Sequence, residues 1–362
     1  MAKRHVVNAN FLSKIRRCQE IIMARSGADD LYEIIKIMFL KKHFSTPFCY
    51  KEMSDFLFQN SNLVEGFVEG DPRLIIDEML FLDCWNILDG EDLDNLDYYT
   101  FDAVFEELTS HKYKANKGQY FTPRNIVDFC VESLSIEKGN SVCDPACGSS
   151  AFLKSAFDCL NGSVELYGFD ISPRAIKVSN LMSYLLCENS IHLSQRDSLD
   201  NKACQGKYDV ILTNPPFAGD VTDSHYVENY ALSKDRKGKI ERDVLFLERC
   251  VGLLNNKGKM AIVLPDNKVS SVRFNYVRDW LMKNINVRAV VSLNSNTFKP
   301  YTSQKAVVIF AEKTPFEKNN KISFYISDQS GKNSSGDFFV KDGVVQDDLS
   351  PIKEDIKLLW EN

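Results

Sequence analysis

Apolar residues recur at spacings of three and four through the first part of the chain, from Phe11 to about Leu108. This spacing places apolar side chains along one face of a helix, and it is clearest over residues 31–39 and 74–82. Short segments rich in serine, glycine and proline separate the helical stretches. The pattern predicts an all-helical N-terminal domain over residues 1–110.

The pattern changes after residue 110, where short β-rich runs alternate with helical ones. The seven candidate strands are Ser141–Cys143, Val164–Phe169, Ile191–Leu193, Tyr208–Leu212, Lys259–Leu264, Arg288–Leu293 and Lys305–Phe310. Such alternation predicts an α/β domain over residues 111–315, with a mostly parallel sheet and helices on both faces. Residues 316–362 are more polar, and we expect a C-terminal extension with one or two short strands and a final helix. Ligands of such sheets bind at the carboxyl ends of the strands.

Charge is divided unevenly along the 362 residues, whose net charge is −6. Residues 51–110 hold 16 acidic and two basic residues, so this stretch carries −14 and the remainder of the chain +8. Only +3 of that excess falls in residues 111–362, which is too little to hold a nucleic acid by bulk charge alone.

No apolar run approaches the roughly 20 residues that span a bilayer, and no signal-like segment opens the chain. The ten cysteines are dispersed without a CxxC pair, so we expect buried thiols in a reducing compartment and no metal site. These features predict a soluble cytoplasmic protein with no membrane partner.

Two acidic residues mark the ends of the first two candidate strands. Asp144 opens the small-residue turn Asp144-Pro-Ala-Cys-Gly-Ser-Ser-Ala-Phe152, and a helix follows. Such a turn lets the backbone approach a ligand closely. Asp170 ends the next strand, where a carboxylate suits the two hydroxyls of a ribose. The order of turn and acid indicates a ligand that contains a nucleoside.

The segment Asn214-Pro-Pro-Phe217 follows the fourth candidate strand and should emerge at the ligand edge. Pro215 and Pro216 have no N–H, so the Asn214 side-chain oxygen and the Pro215 carbonyl dominate this corner as acceptors. Two converging acceptors match the two hydrogens of an exocyclic amine, and Phe217 offers a face on which a planar base can stack. Accepting both hydrogens localises the nitrogen lone pair and stabilises the positive charge that grows as a methyl group arrives.

The motifs together resemble the adenine-N6 DNA methyltransferases, and most of all the methylation subunit of type I restriction-modification systems. The resembling segments are Gly118-Gln-Tyr-Phe-Thr-Pro123, the Asp144–Phe152 turn, Gly168-Phe-Asp170, Arg196-Asp197 and Asn214–Phe217. Segments at 243–247, 258–265 and 296–300 also look like later parts of the family. The resemblance implies the fold of the S-adenosylmethionine-dependent methyltransferases, with a seven-stranded, mostly parallel sheet.

The resemblance also implies residue roles. Cofactor-binding positions would be Tyr120, Phe121, Thr122, Asp144, Ala146, Gly148, Asp170, Ile171 and Asp197. Among them, Thr122 at a helix start would suit the methionine carboxylate, Asp170 the ribose and Asp197 the adenine amino group. Asn214, Pro215, Pro216 and Phe217 would be catalytic and would hold a flipped adenine, with Phe298 as a second aromatic face.

One position departs from the family pattern, because Ser150 stands where the second glycine of Gly-Ser-Gly is usual. If the backbone there needs a positive φ, serine costs roughly 1 kcal/mol or more. We expect Ser150 to be tolerated and S-adenosylmethionine still to bind.

Binding to DNA would need help from other subunits. The best basic run lies at 234–242, where Lys234, Arg236, Lys237 and Lys239 could follow the DNA backbone beside the extruded base. Since no segment resembles a domain that reads the grooves, we expect a separate specificity subunit and a possible restriction subunit as partners.

Two alternatives remain open at this stage. The same chemistry could act on a protein glutamine or an rRNA guanine, although there a tyrosine more usually follows Asn-Pro-Pro. The chain could also be a non-catalytic scaffold in a DNA-binding complex, against which the intact Asn214 segment argues.

Overall fold

The computed structural model describes residues 8–91, 93, 98–113, 121–187, 190–202, 206–217, 219–234, 239–315, 321–341 and 344–361, without the side chains of 107, 109–113 and 344. The chain divides into two compact units. The smaller contains the described residues of His5–Ala115 and Pro173–Asn189, and the larger those of Asn116–Ser172 and Ser190–Asn362.

The described residues of the smaller unit form helices joined by turns and loops, with no strand among them. Its helices are α1 (Ala9–Arg25), α2 (Asp30–His43), α3 (Tyr50–Gln59), α4 (Ser61–Val64), α5 (Glu78–Ile87), α6 (Tyr98–Tyr113) and α9 (Pro173–Leu186). Three of them begin at side chains that accept a hydrogen bond from a backbone N–H of the first turn, namely Asn8, Asp29 and Asp77. The helical character predicted for the first 110 residues is therefore present from α1 to α6.

Helix α9 follows the second strand of the sheet along the chain, yet it packs among the N-terminal helices. Val178 and Leu181 belong to the same buried cluster as the aromatic core of α2 and α5. An ion pair of 2.8 Å joins Arg174 to Asp29, and the Asn180 amide donates to the carbonyl of Gly66 at 2.9 Å. The division of the chain into 1–110, 111–315 and 316–362 remains a prediction. It does not include α9 with the N-terminal helices.

The larger unit is built on one eight-stranded sheet. Its strands are β1 (Ser141–Asp144), β2 (Glu165–Asp170), β3 (Ile191–Gln195), β4 (Tyr208–Thr213), β7 (Leu254–Pro265), β8 (Asn286–Ser292), β9 (Ala306–Glu312) and β10 (Ser323–Ile326). They lie in the order β10-β8-β9-β7-β4-β1-β2-β3, and β9 alone runs antiparallel to its neighbours in this sheet. Apart from residues 255–257 near the start of β7, the central strands are almost wholly buried, as expected for a sheet covered on both faces.

The α/β fold predicted from the sequence is confirmed, and each of the seven predicted strands is present. The predicted strand count is wrong by one, because β10 from the C-terminal extension pairs in parallel with β8. Its alternation of half-buried and exposed residues is typical of an edge strand, and such a strand gives a weaker apolar signal than a central one.

The remaining elements of the larger unit surround this sheet. The helices are α7 (Arg124–Ser133), α8 (Ala151–Cys159), α10 (Ser224–Val227), α11 (Arg242–Leu253), α12 (Asn267–Ser270), α13 (Asn275–Asn284) and α14 (Leu349–Leu358). Two small antiparallel ribbons join β5 (Asp220–Val221) to β6 (Ile240–Glu241), and β11 (Val340–Lys341) to β12 (Val344–Val345). Among the described residues, no helix is both long and apolar enough to cross a bilayer.

The C-terminal segment is anchored to α7. The indole of Trp360 donates to the carbonyl of Ser133 at 2.7 Å, and Lys353 forms an ion pair of 2.6 Å with Glu132. The side-chain amide of Asn125, which lies in α7, also donates to the carbonyl of Ser330 at 3.0 Å. Because α7 begins two residues after Thr122, these contacts brace the segment that leads into the candidate site.

The turn between β1 and α8 contains the one departure from the family pattern. Ser150 is buried and lies in the left-handed region at φ 64° and ψ 32°, directly before α8. Gly148, two residues earlier, has φ 53°. The position therefore does require the backbone conformation that favours glycine.

Replacing Ser150 by glycine should raise the free energy of unfolding by about 1 kcal/mol or less, because relief of left-handed strain is partly offset by a more flexible unfolded chain. Because the sequence resemblance implies that this turn borders the cofactor, we also expect the relaxed turn to bind S-adenosylhomocysteine at least as tightly as the wild type. Urea unfolding and calorimetric titration measure the two effects.

Ser135 provides the matched control, since it also has a positive φ of 48° but is exposed and lies between α7 and β1. Ser135→Gly should change stability without changing the affinity for S-adenosylhomocysteine. Equal effects of the two variants on affinity would contradict a role for the Ser150 turn in binding, and absence of heat with the wild type would overturn cofactor binding itself.

Candidate active site

The candidate site lies where four parallel strands end side by side. Strand β1 pairs with β2 on one side and with β4 on the other, while β3 pairs with β2. Since these strands are parallel, their carboxyl ends lie along one edge of the sheet. That edge therefore receives Asp144, Asp170, Asp197 and Asn214, which end the strands or follow them by one or two residues.

Asp144 joins the ends of β1 and β4. Its Oδ1 accepts hydrogen bonds from the Thr213 hydroxyl at 2.7 Å and from the Ala146 N–H at 3.0 Å. Burial raises the pKa of this carboxyl to about 7, although both hydrogen bonds act to lower it. Asp144 is thus a buried carboxyl that titrates near neutrality.

Asp170 holds the small-residue turn against the end of β2. Its Oδ2 accepts from the Gly148 N–H at 3.0 Å, and its Oδ1 accepts from the Ser172 N–H at 2.8 Å. The Cys147 N–H donates to the Phe169 carbonyl at 2.9 Å, so the turn and the strand end are bonded twice. Burial raises the pKa of Asp170, while the backbone hydrogen bonds act against that rise.

A cavity of about 300 Å³ opens beside these strand ends. Its lining includes five residues predicted from the sequence, namely Ala146, Asp170, Ile171, Asp197 and Pro216. The lining combines carboxylates, two of which are Asp170 and Asp197, with apolar side chains. Such a mixture is suited to a planar, partly polar ligand with hydroxyl and amine donors, and the volume lies at the small end of small-molecule sites.

Other predicted cofactor residues do not line this cavity. Phe121, Thr122, Asp144 and Gly148 are described by the structure but lie outside its lining, although Gly148 is bonded to Asp170. Tyr120 lies outside the described residues. Helix α7 begins at Arg124, so Thr122 precedes the cap residue Pro123 instead of starting the helix.

Several cavity residues were not predicted from the sequence. They include Tyr226 of α10, Arg242 and Phe246 of α11, and Asp223. Tyr226 donates its hydroxyl hydrogen to Asp197 Oδ2 at 2.8 Å, and this bond raises the pKa of Tyr226 to about 12. Phe246 could have been found, since it lies in a segment that resembles the family, whereas no local pattern marks Tyr226.

Asn214 directly follows β4, and only one of the two polar atoms of its carboxamide has a hydrogen-bond partner among the described residues. Its Nδ2 donates to the Thr122 hydroxyl at 2.9 Å. Its Oδ1 is buried and has no hydrogen-bond partner within the described part of the chain. A buried acceptor without a donor costs about 1–3 kcal/mol, so this atom marks a place for an incoming N–H.

Two aromatic residues lie together in the fold, and one of them, Phe217, follows this asparagine by three residues. Phe217 and Phe298 are both buried, and their ring centroids are 5.4 Å apart at an interplanar angle of 67°. This edge-to-face pairing brings together the two aromatic residues that the sequence singled out, although they are far apart along the chain.

The predicted basic run is only partly described. Lys234 is exposed, and Lys239 forms an exposed ion pair of 2.7 Å with Asp220 across the β5–β6 ribbon. Arg236 and Lys237 lie outside the described residues. Exposed pairs of this kind contribute little to stability, so Lys239 can exchange Asp220 for another anion at small cost.

Solved structures share this fold. A type I restriction-modification methyltransferase subunit from Streptococcus thermophilus superposes with a TM-score of 0.67 and 16% identity, covering 95% of this chain and 74% of that one. A Listeria monocytogenes protein assigned to the class I S-adenosylmethionine-dependent methyltransferases gives 0.68 and 17%, covering 97% and 98%. At such identities the likeness defines the fold, which is that of S-adenosylmethionine-dependent methyltransferases.

The chain belongs to the N-6 DNA Methylase family, which matches residues 97–349. It is 25% identical over 294 residues to the type I restriction enzyme EcoEI methylase subunit of Escherichia coli, covering 72% of this chain and 59% of that protein. It is equally identical over 302 residues to the MjaVII methylase subunit of Methanocaldococcus jannaschii, covering 75% and 50%. The chain thus spans between half and three fifths of these relatives, and the family resemblance seen in the sequence is confirmed.

Replacing Asp144 by asparagine should change how stability depends on pH. The folded pKa of Asp144, about 7, lies above that of an unfolded aspartate, about 4. The contribution of this carboxyl to the free energy of unfolding therefore falls as pH rises from 4 to 7. Asp144→Asn should therefore gain stability relative to the wild type from pH 4 to 7 and level off above, as measured by urea unfolding.

Asp209 gives a control with the opposite sign. Burial alone would raise its pKa, but hydrogen bonds from Ser141 and Asn255 bring the pKa below its usual range. Its stabilising contribution is present above the unfolded pKa and is lost as pH falls, so Asp209→Asn should lose stability relative to the wild type as pH rises. If the stability of the two variants relative to the wild type changed with pH in the same direction, the pKa directions given for Asp144 and Asp209 would be contradicted.

Proposed function

We propose that this protein transfers a methyl group from S-adenosylmethionine to the N6 amine of an adenine in DNA. The observation that carries the proposal is the buried Oδ1 of Asn214, which has no partner in the described part of the chain and lies at the carboxyl edge of the sheet. Membership of the N-6 DNA Methylase family supports the choice of adenine in DNA over a glutamine or a guanine.

The residues at the strand ends fit the cofactor. Asp170 would accept hydrogen bonds from the ribose hydroxyls, and Asp197 would accept one from the adenine amino group. Ile171 and Pro216 supply apolar walls for the ring, while Thr122, Asp144 and Gly148 would lie toward the methionine part. When bound, the cofactor supplies an electrophilic methyl group on a sulfonium.

The catalytic work of the chain is to prepare the amine. Asn214 Oδ1 and the Pro215 carbonyl would each accept one hydrogen of the exocyclic nitrogen, which draws the lone pair out of the ring and toward the methyl group. As the N–C bond forms, the nitrogen becomes positive and its hydrogens bind these oxygens more strongly. In the same step the methyl group would leave sulfur, which would keep the bonding electron pair, and the nitrogen would then release one proton to water. Because the neutral amine attacks before this proton leaves, no base is needed before transfer.

The target adenine must leave the duplex to reach Asn214, which costs a few kcal/mol. Phe217 would stack on the extruded base, and Phe298, its edge-to-face neighbour, would border the same space. Lys234, Arg236, Lys237 and Lys239 remain candidates for contacts to the DNA backbone. Lys239 would have to release Asp220 to serve in that way.

We further propose that the protein acts as the modification subunit of a type I restriction-modification complex in the cytoplasm, with a specificity subunit and a possible restriction subunit. The methylase relatives carry type I names, and the chain matches only part of their length. The small positive charge of residues 111–362 also favours DNA affinity that a partner provides.

Replacing Asn214 by alanine should abolish methyl transfer and leave the affinity for S-adenosylhomocysteine within about threefold of wild type, because the acceptor faces the base and not the cofactor. Tritium transfer to unmethylated DNA by the complex purified from its host measures the first effect. Calorimetry measures the second.

Asn255→Ala is the matched control, since Asn255 bonds to Asp209 at the opposite edge of the sheet. That variant should keep its activity. Methyl transfer retained by Asn214→Ala would sink the proposed chemistry, and transfer to RNA or protein instead of DNA would favour a different amine substrate.

The dependence on a partner is tested by comparing the chain alone with the native complex. The complex should methylate a defined sequence in a random plasmid library, whereas the isolated chain should show weak transfer without sequence preference. Sequencing that detects N6-methyladenine gives both results. High selectivity of the isolated chain would contradict a separate specificity subunit.

A further inference from the structure

The hydrogen bond between Thr122 and Asn214 joins two parts of the site that lie 92 residues apart in the sequence. Thr122 precedes α7, and Asn214 follows β4, so their 2.9 Å contact depends on the tertiary structure. Thr122 is only 8% exposed, and bulk water therefore competes little with this bond. The contact places a hydroxyl directly behind the amide that would receive the adenine amine.

This contact alone does not fix the direction of the amide. A hydroxyl can accept from Nδ2 or donate to Oδ1, so the Asn214 carboxamide has two orientations that both satisfy Thr122. Only one of them presents Oδ1 to an incoming amine. The other presents Nδ2, whose hydrogens would repel the hydrogens of the substrate.

Neither end of this hydrogen-bonded pair has a further hydrogen-bond partner among the described residues. The Thr122 hydroxyl accepts from Asn214, and no described residue accepts its own hydrogen. At the other end, Asn214 Oδ1 is buried without a donor. The pair is thus a short chain with a free donor at one end and a free acceptor at the other.

We propose that Thr122 is a positioning residue that couples the cofactor to the orientation of Asn214. An anionic group, the carboxylate of the amino-acid part of the cofactor, would accept the Thr122 hydroxyl hydrogen. Thr122 can then only accept from Asn214, which fixes Nδ2 toward Thr122 and Oδ1 toward the substrate amine. This inference rests on the proposed function, because it requires that cofactor to bind beside Thr122.

The coupling has a physical cause in addition to the choice of orientation. A hydroxyl that donates to an anion becomes a stronger acceptor, and hydrogen bonds in such a chain polarise one another. The Asn214 N–H would be drawn more strongly to Thr122, and Oδ1 would become more negative where the amine hydrogens bind. Cofactor binding would therefore prepare the site for the base without movement of the backbone.

Side-chain amide NMR tests this coupling in the full chain with selectively ¹⁵N-labelled asparagine, the Asn214 signals being assigned by their loss in Asn214→Asp. Saturation with S-adenosylhomocysteine should shift the Asn214 Nδ2 signals and slow exchange of the Thr122-bonded hydrogen by about threefold, because binding strengthens a hydrogen bond that is already formed. The analogue 5′-methylthioadenosine, which lacks the carboxylate, should bind without slowing this exchange.

Variants at Thr122 separate positioning from structure. Thr122→Val keeps the branched shape but has no hydroxyl, so the Asn214 signals should lose their response to S-adenosylhomocysteine, whereas Thr122→Ser should retain it. The matched control is Thr314→Val, because the Asn286 amide donates to the Thr314 hydroxyl at the opposite edge of the sheet. That variant should perturb Asn286 and leave the Asn214 response unchanged.

Each outcome bears on one of the two proposals. If S-adenosylhomocysteine binds and Thr122→Val retains the full Asn214 response, the positioning role is overturned and the proposed methyl transfer stands. An equal response to 5′-methylthioadenosine would overturn the part assigned to the carboxylate. If calorimetry detects no binding of S-adenosylhomocysteine to the wild type, both the cofactor assignment and the coupling fail.

Discussion

The site depends on the parallel pairing of β1 with both β2 and β4, because that pairing brings three strand ends to one edge, where β3 joins them by pairing with β2. The hydrogen bond from Thr213 to Asp144 joins two of these ends directly, 69 residues apart along the chain. It satisfies a carboxyl that is almost fully buried, where an unpaired polar group would be costly. The turn after β1 and the Asn214 segment after β4 are therefore held in a fixed relation to each other.

The polar groups at this edge differ in how fully they are satisfied. Asp170 and Asp197 each accept hydrogen bonds at both oxygens from within the protein, which fixes the orientation of the two carboxylates. Asn214, in contrast, retains a buried oxygen without a donor in the described residues. At this edge of the sheet, an amide oxygen without a donor therefore lies at the point where the substrate amine is proposed to bind.

Much of this arrangement could be predicted from local patterns. The change from helical to strand-like spacing near residue 110 indicated the helical part and the sheet, and residues that follow strands indicated the ligand edge. The Asn214–Phe217 segment could be interpreted chemically because prolines restrict the backbone and remove N–H groups, whatever the surrounding fold. The left-handed backbone at Ser150 also follows from a local steric rule.

Other features depend on which surfaces pack together, and the spacing of apolar residues along the sequence does not indicate this. Helix α9 has the apolar spacing of any amphipathic helix, but only packing shows that it lies among the N-terminal helices. The bonds from Tyr226 to Asp197 and from Asn214 to Thr122 join distant segments through single atoms, with no repeating signal in the sequence. The sequence by itself determined the elements, the ligand edge and the chemistry of Asn214, because these follow from spacing and covalent structure. The tertiary structure alone decided which hydroxyl lies behind that amide and which oxygen is left open, since hydrogen bonds depend on distances that only the folded chain defines.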